Sequence, residues 1–285
     1  MLFDLPPLAW TEPALQEAGG VRTDDQECTA HGTMGSHRAG TGMFGAAPLK
    51  EAIDLLPLLP DTESLDEVRR FLRSNLHFSA EDTRQRYASY AAKQVFPDGY
   101  ADRPLRDFAG GYAGTQALRD ACFYRFCRAE PLVLDVLDQV FLPAIGLGQI
   151  GRERLRGYLQ DRFPLAGNAT HCSKAIVRAL VDTGLATADR SKVSFGYRDI
   201  LIPSFAFVLH SEFSQPGMYD IAGLENNRAI RAMLWDPDRL LPSLYELRNL
   251  SIVAKVSEID RVRQFTTKWT LAETVERLVA GRDTP

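Results

Sequence analysis

Residues 168–198 read NATHCSKAIVRALVDTGLATADRSKVSFGYR, and this stretch restricts the fold more than any other. Cys172, Ala175, Ile176, Ala179 and Leu180 recur at the i, i+3, i+4, i+7, i+8 spacing of one helical face, which predicts a helix from about Thr170 to Thr183. Gly184 follows where a helix stop needs a left-handed residue. Two short β-prone runs, LATA and KVSFGY, then flank the turn Asp189-Arg190-Ser191 as a hairpin. A basic helix, RERLRGYLQDRF, precedes the unit. The order helix, turn, helix, hairpin is that of a winged helix.

That order gives the polar residues a use. The N-terminal half of a groove-reading helix needs short polar and basic side chains. Thr170, His171, Ser173, Lys174 and Arg178 lie off the apolar stripe and are expected to face nucleic acid. Arg190 and Lys192 at the hairpin tip suit phosphates, and Arg152, Arg154 and Arg156 suit the backbone. The same bases would serve equally well on an ordinary solvated helix face. Their coincidence with the winged-helix order favours DNA.

A second copy of the plan is expected after residue 212. GLENNRAIRAMLW reads as one helix, followed by a turn and a helix from Pro242 to Leu250, because an interior proline would break a helix begun at Asp238. IVAKVS and RVRQFT, around a turn at 258–260, complete the hairpin. Ser243, Glu246 and Arg248 are expected on its exposed face, where the acid repels phosphate, so packing or dimerisation is as good a role as DNA contact. Thr270 and Glu273 form a capping box for a last helix. DILIPSFAFVLHSEF, between the copies, is apolar enough to fill their interface, with His210 packed rather than catalytic.

Upstream, residues 49–148 read as an all-α module. Ser64 caps one helix; Ser79 and Asp82 resemble a capping box for the next, whose polar side carries Arg84, Arg86 and Lys93. GTQALRDACFYRFCRAE and PLVLDVLDQVFLPAI supply two more helices. Residues 1–48 are glycine-rich and polar and are expected to be weakly ordered, since little burial offsets their ordering entropy. Their Gly40-Thr41-Gly42-Met43-Phe44-Gly45 matches G-x-G-x-x-G formally, but no buried strand precedes it, so no dinucleotide site is expected. The expected class is therefore mainly α: a leader (1–48), a helical module (49–148) and two winged-helix α+β units (149–212 and 213–285).

Charge and composition narrow the function. The net charge of −4 is uneven: residues 1–64 hold three bases against ten acids, and the remainder thirty against twenty-seven. Residues 151–200 hold nine bases and five acids. No apolar run reaches the roughly 20 residues of a membrane span, and MLFDLPPLAW lacks a basic signal-peptide start, so a cytoplasmic protein without membrane partners is expected. The four cysteines form no CxxC pair, which predicts reduced thiols. HExxH, GxSxG, Walker and kinase signatures are absent, so neither catalysis, cofactor nor metal is expected.

The segments NLHFSAEDTRQRYASYAAKQV, GTQALRDACFYRFCRAEPLVLDVLDQVFLPAI and THCSKAIVRALVDTGL, with Ser79, Thr83-Arg84 and AEPLVLDVL in that order, resemble the BrxA family of bacterial BREX phage-defence systems over about residues 65–200. The resemblance implies a small non-enzymatic component that binds double-stranded DNA beside other defence subunits, using Thr170–Arg178 together with Arg84 and Arg86. Two other functions suit the same sequence: a dimeric transcriptional regulator of one operator, and a protein-interaction scaffold.

Overall fold

The computed structural model describes residues 42–259 and 262–282. The chain is mainly helical, with two small three-stranded antiparallel sheets.

The helical half begins with α1 (Leu49–Leu55) and α2 (Leu65–Asn75), where Ser64 accepts the Glu67 N–H as the sequence suggests. α3 (Glu81–Val95) starts with Ala80 at its cap, so Ser79 and Asp82 form no capping box. Arg84 organises that turn instead, donating to the carbonyls of Phe78 (2.8 Å) and Ser79 (3.2 Å). α4 (Arg103–Gly111), capped by Asp102, was not foreseen. α5 (Gln116–Ala129) is buried on nearly every side, the charged Asp120 and Arg125 included. α6 (Pro131–Val136) continues into a π-turn at Leu137–Phe141 and a 3₁₀ segment at Leu142–Leu147, with Pro143 interrupting the α-helical ladder.

Two units of one topology follow. The first comprises β1 (Gln149–Gly151), α7 (Arg152–Arg162), α8 (Ala169–Asp182), β2 (Ala186–Ala188) and β3 (Lys192–Phe195). β3 lies between β1 and β2, with Val193 opposite both Ile150 and Ala188. α8 stops at Gly184, whose φ is +74°. The Leu185 N–H closes onto the Leu180 carbonyl (2.8 Å) and the Gly184 N–H onto that of Val181 (3.0 Å), a Schellman ending. A Cβ at Gly184 would also stand 2.8 Å from Gln116 Oε1.

After α9 (Ile202–Glu212) the second unit runs β4 (Gly217–Asp220), α10 (Ile221–Glu225), α11 (Arg228–Ala232), α12 (Pro237–Asn249), β5 (Val253–Ile259) and β6 (Val262–Thr267), again with the last strand in the middle. The single helix expected from GLENNRAIRAMLW is instead the pair α10 and α11, split because the Asn227 side chain accepts the Ala229 and Ile230 N–H groups and restarts the helix. α12 begins at Pro237 and not at Pro242. Asp236 caps it, Pro237 takes the first-turn position that suits proline, and Pro242 is carried inside. α13 (Leu271–Ala280) has the expected Thr270–Glu273 capping box. It returns to α4 and α9, where the Tyr112 hydroxyl donates to the Leu278 carbonyl.

One hydrophobic core runs from Phe44 to Leu278, and two carboxylates, the buried Asp120 on α5 and the partly exposed Asp135 on α6, tie the units across it. Asp120, 1% exposed, accepts from Gln116 (2.8 Å), Arg198 (3.0 Å) and Ser204 (3.1 Å). Gln116 also donates to the Thr183 carbonyl at the end of α8. Asp135 pairs with Arg162 of α7 and Arg228 of α11. Asp120→Ala would strand the largely buried Arg198 guanidinium, so urea denaturation should show a loss on the order of 3–5 kcal/mol. An unchanged midpoint would show that Asp120 is no hub.

His210 is fully buried in α9, with Nδ1 3.1 Å from the Ala206 carbonyl. Burial pushes its imidazole from 6.5 down to about 4. The unfolded chain therefore takes up a proton that the folded chain refuses. The stabilising contribution is whole above pH 6.5 and declines as pH falls towards 4, by on the order of 3 kcal/mol. Stability measured across that window should fall less steeply in His210→Leu; identical slopes would refute the assignment.

Candidate nucleic-acid interface

α8 is the element on which the sequence places most of its site. Its core stripe packs as the periodicity requires: Cys172, Ile176, Ala179 and Leu180 are buried. A second flank, Ser173 and Val177, is buried as well. Ser173 therefore does not face solvent as expected; α1 packs against α8, and a residue one turn from Val177 shares its cover. What stays open is a stripe of Thr170, His171, Lys174, Arg178 and Val181.

Arg178 belongs to that stripe by position but is held by two carboxylates. Its Nη2 lies 2.7 Å from Glu51 Oε1 and its Nε 3.1 Å from Asp182 Oδ2. Glu51, 8% exposed on α1, has its other carboxylate oxygen buried without a partner among the described residues. Arg178 thus joins α8 to the helical half, and the free cationic part of the stripe is its N-terminal end. Sequence reasoning missed Glu51 because nothing local links position 51 to position 178.

The hairpin tip is shaped by one side chain. The Asp189 carboxylate accepts the backbone N–H groups of Ser191 (2.7 Å) and Lys192 (2.8 Å) and the Ser191 hydroxyl (3.2 Å). The two backbone bonds hold its pKa below the ordinary carboxylate value. Arg190 and Lys192 are left exposed on the turn so formed. Gly151 pairs with Lys192, and the Arg152 N–H donates to the Ser191 carbonyl (2.8 Å), which sets the first turn of α7 against the tip.

The α7 arginines divide. Arg154 is exposed, Arg152 is half-buried with an unpartnered Nε among the described residues, and Arg156 is paired with Glu153. Arg84 is not a free contact as expected, since Glu81 and two carbonyls occupy its guanidinium. Arg86 is exposed beside the Tyr87 ring.

The second unit presents a different surface. Ser243, expected on the open face of α12, is buried, while Asp238, Arg239, Pro242, Glu246 and Arg248 are exposed. The residues flanking its hairpin turn, Ile259 and Val262, are apolar and 63% and 54% exposed, where the first hairpin carries bases.

Cys122, Cys127 and Cys172 are buried free thiols; Cys28 and the start of the glycine motif lie outside the described residues. Among the described residues no cluster of three or more His, Cys, Asp or Glu could hold a metal, and no helix is long and apolar enough to cross a membrane. No family model, curated protein or solved structure matches the chain.

The Arg178 bridge can be separated from the free bases by stability alone. Arg178→Ala leaves the Glu51 carboxylate buried without its cation and should cost on the order of 1–3 kcal/mol in urea unfolding. Lys174→Ala should leave the midpoint where it is. Equal effects would mean that the bridge carries no stability.

Proposed function

We propose that the protein binds double-stranded DNA without chemistry of its own, and that residues 149–195 are a winged-helix reader. The observation that carries the reading is the open stripe on α8. Its N-terminal end presents Thr170, His171 and Lys174 while both flanks are buried. The strand–helix–helix–hairpin order and the placing of the last strand between the other two support it.

In this reading the start of α8 enters the major groove. Arg190, Lys192, Arg152 and Arg154 hold phosphates on either side. Arg178 and Ser173 serve the fold, and Arg84 the turn before α3. The likeness to the BrxA family supports a role in phage defence inside the cell, alongside other subunits. A specific operator-binding regulator uses the same surface and differs in recognising one palindrome.

A protein-docking role for the second unit is favoured by a separate observation. The residues flanking its hairpin turn, Ile259 and Val262, are apolar and exposed, and the open face of α12 carries Asp238 and Glu246 beside Arg239 and Arg248, a surface better suited to a partner subunit or a second copy than to phosphate.

Fluorescence anisotropy on a labelled random-sequence duplex at low and moderate salt tests the proposal. The wild type should bind at low salt, with affinity falling steeply as salt rises. Lys174→Glu combined with Arg190→Glu should weaken binding by more than about tenfold. Absence of binding at low salt, or a double variant that binds as well as the wild type, would refute it and leave the docking role.

A further inference from the structure

A cavity of about 350 Å³ lies where the helical half, the linker (196–201, between β3 and α9) and the second unit meet. Asp138 and Leu142 form its wall on the first side, Tyr197 closes it from the linker, and Glu225, Arg231 and Trp235 line it from the second unit. The volume falls in the range of small-molecule sites.

Three features mark this cavity as more than a packing gap. Asp138 sits in the π-turn at Leu137–Phe141, a ladder defect that often marks functional positions. Leu234, next to Trp235, holds φ at +53°, a conformation that β-carbon-bearing residues rarely adopt. Trp235 is 3% exposed, yet its indole N–H has no hydrogen-bond partner among the described residues.

The lining also states what would fit. Tyr197 keeps half its surface open beside Trp235, and Pro143 and Pro237 add flat apolar walls. Asp138 pairs with Arg231 at 3.0 Å. Arg263 is shared between Glu225 at 3.1 Å and Glu258 at 3.5 Å. Arg263 and Glu258 stand behind the lining; the lining itself carries two carboxylates, Asp138 and Glu225, against one guanidinium, Arg231, one negative charge in excess. Aromatic walls with a net negative charge select flat, positively charged ligands.

We propose that this cavity binds a planar aromatic cation, as a site separate from the nucleic-acid surface. The experiment is calorimetric titration of the full chain, without DNA, with proflavine, a three-ring cation. Anthracene-2-carboxylate serves as the three-ring anion. Proflavine should bind saturably at one site and the anion should not. Asp138→Asn combined with Glu225→Gln reverses the net charge of the cluster; it should weaken proflavine by at least about tenfold and admit the anion. Tyr197→Ser alters only a half-exposed ring and should weaken proflavine severalfold with the fold intact by circular dichroism. It decides the matter if the double variant fails to fold. Lack of saturable proflavine binding overturns the proposal, as does affinity that is the same in the wild type and the folded variants.

Discussion

The Asp120 carboxylate, in the middle of a helix buried on nearly all sides, is the constraint on which the arrangement of this protein rests. A carboxylate that deep needs its lone pairs filled, and the partners come from three places in the chain. Gln116 lies one turn away on the same helix and reaches on to the end of α8. Ser204 comes from α9, and Arg198 from the linker. Arg198 then extends the tie through its backbone, which exchanges hydrogen bonds with Leu234 and Asp236 of the second unit. One buried acid thereby fixes the end of the first unit, the following helix and the entry to α12.

The same economy explains how the candidate DNA surface is limited. α8 must satisfy its own sheet and the helical half at once, so two of its flanks are covered. Arg178 is drawn into the second contact by Glu51, and the stripe is left cationic only near its start. A groove-reading helix engages bases chiefly through its N-terminal residues, so the helical half can cover the flank without closing the part that matters.

The two units share a topology but not a surface. Asp189 sets a hairpin tip that displays two bases in the first. In the second, Ile259 and Val262 flank the turn, and α12 exposes acids beside its arginines. Identical strand order therefore carries different surfaces, because the sheet is specified by its inward residues and the surface by its outward ones. The aromatic, acid-lined cavity arises only where the halves meet, from residues as distant in sequence as Asp138 and Glu225.

The elements whose signals are local can be read from the residues alone. The apolar spacing of α8, the Gly184 stop, the Ser64 and Thr270 caps and both hairpins are written within a few residues, because propensity, capping and turn geometry act over that range. Where two local signals compete, one of them prevails in the fold: Asp236-Pro237 starts α12 ahead of Pro242, and Asn227 divides what the apolar periodicity joins. Which polar side chains stay exposed and unpaired among the described residues depends on packing between distant segments. Ser173, Arg84 and Arg178 look as available in sequence as Lys174 does. Burial and charge pairing depend on which distant segment arrives, and for Arg178 that segment lies 127 positions away at Glu51.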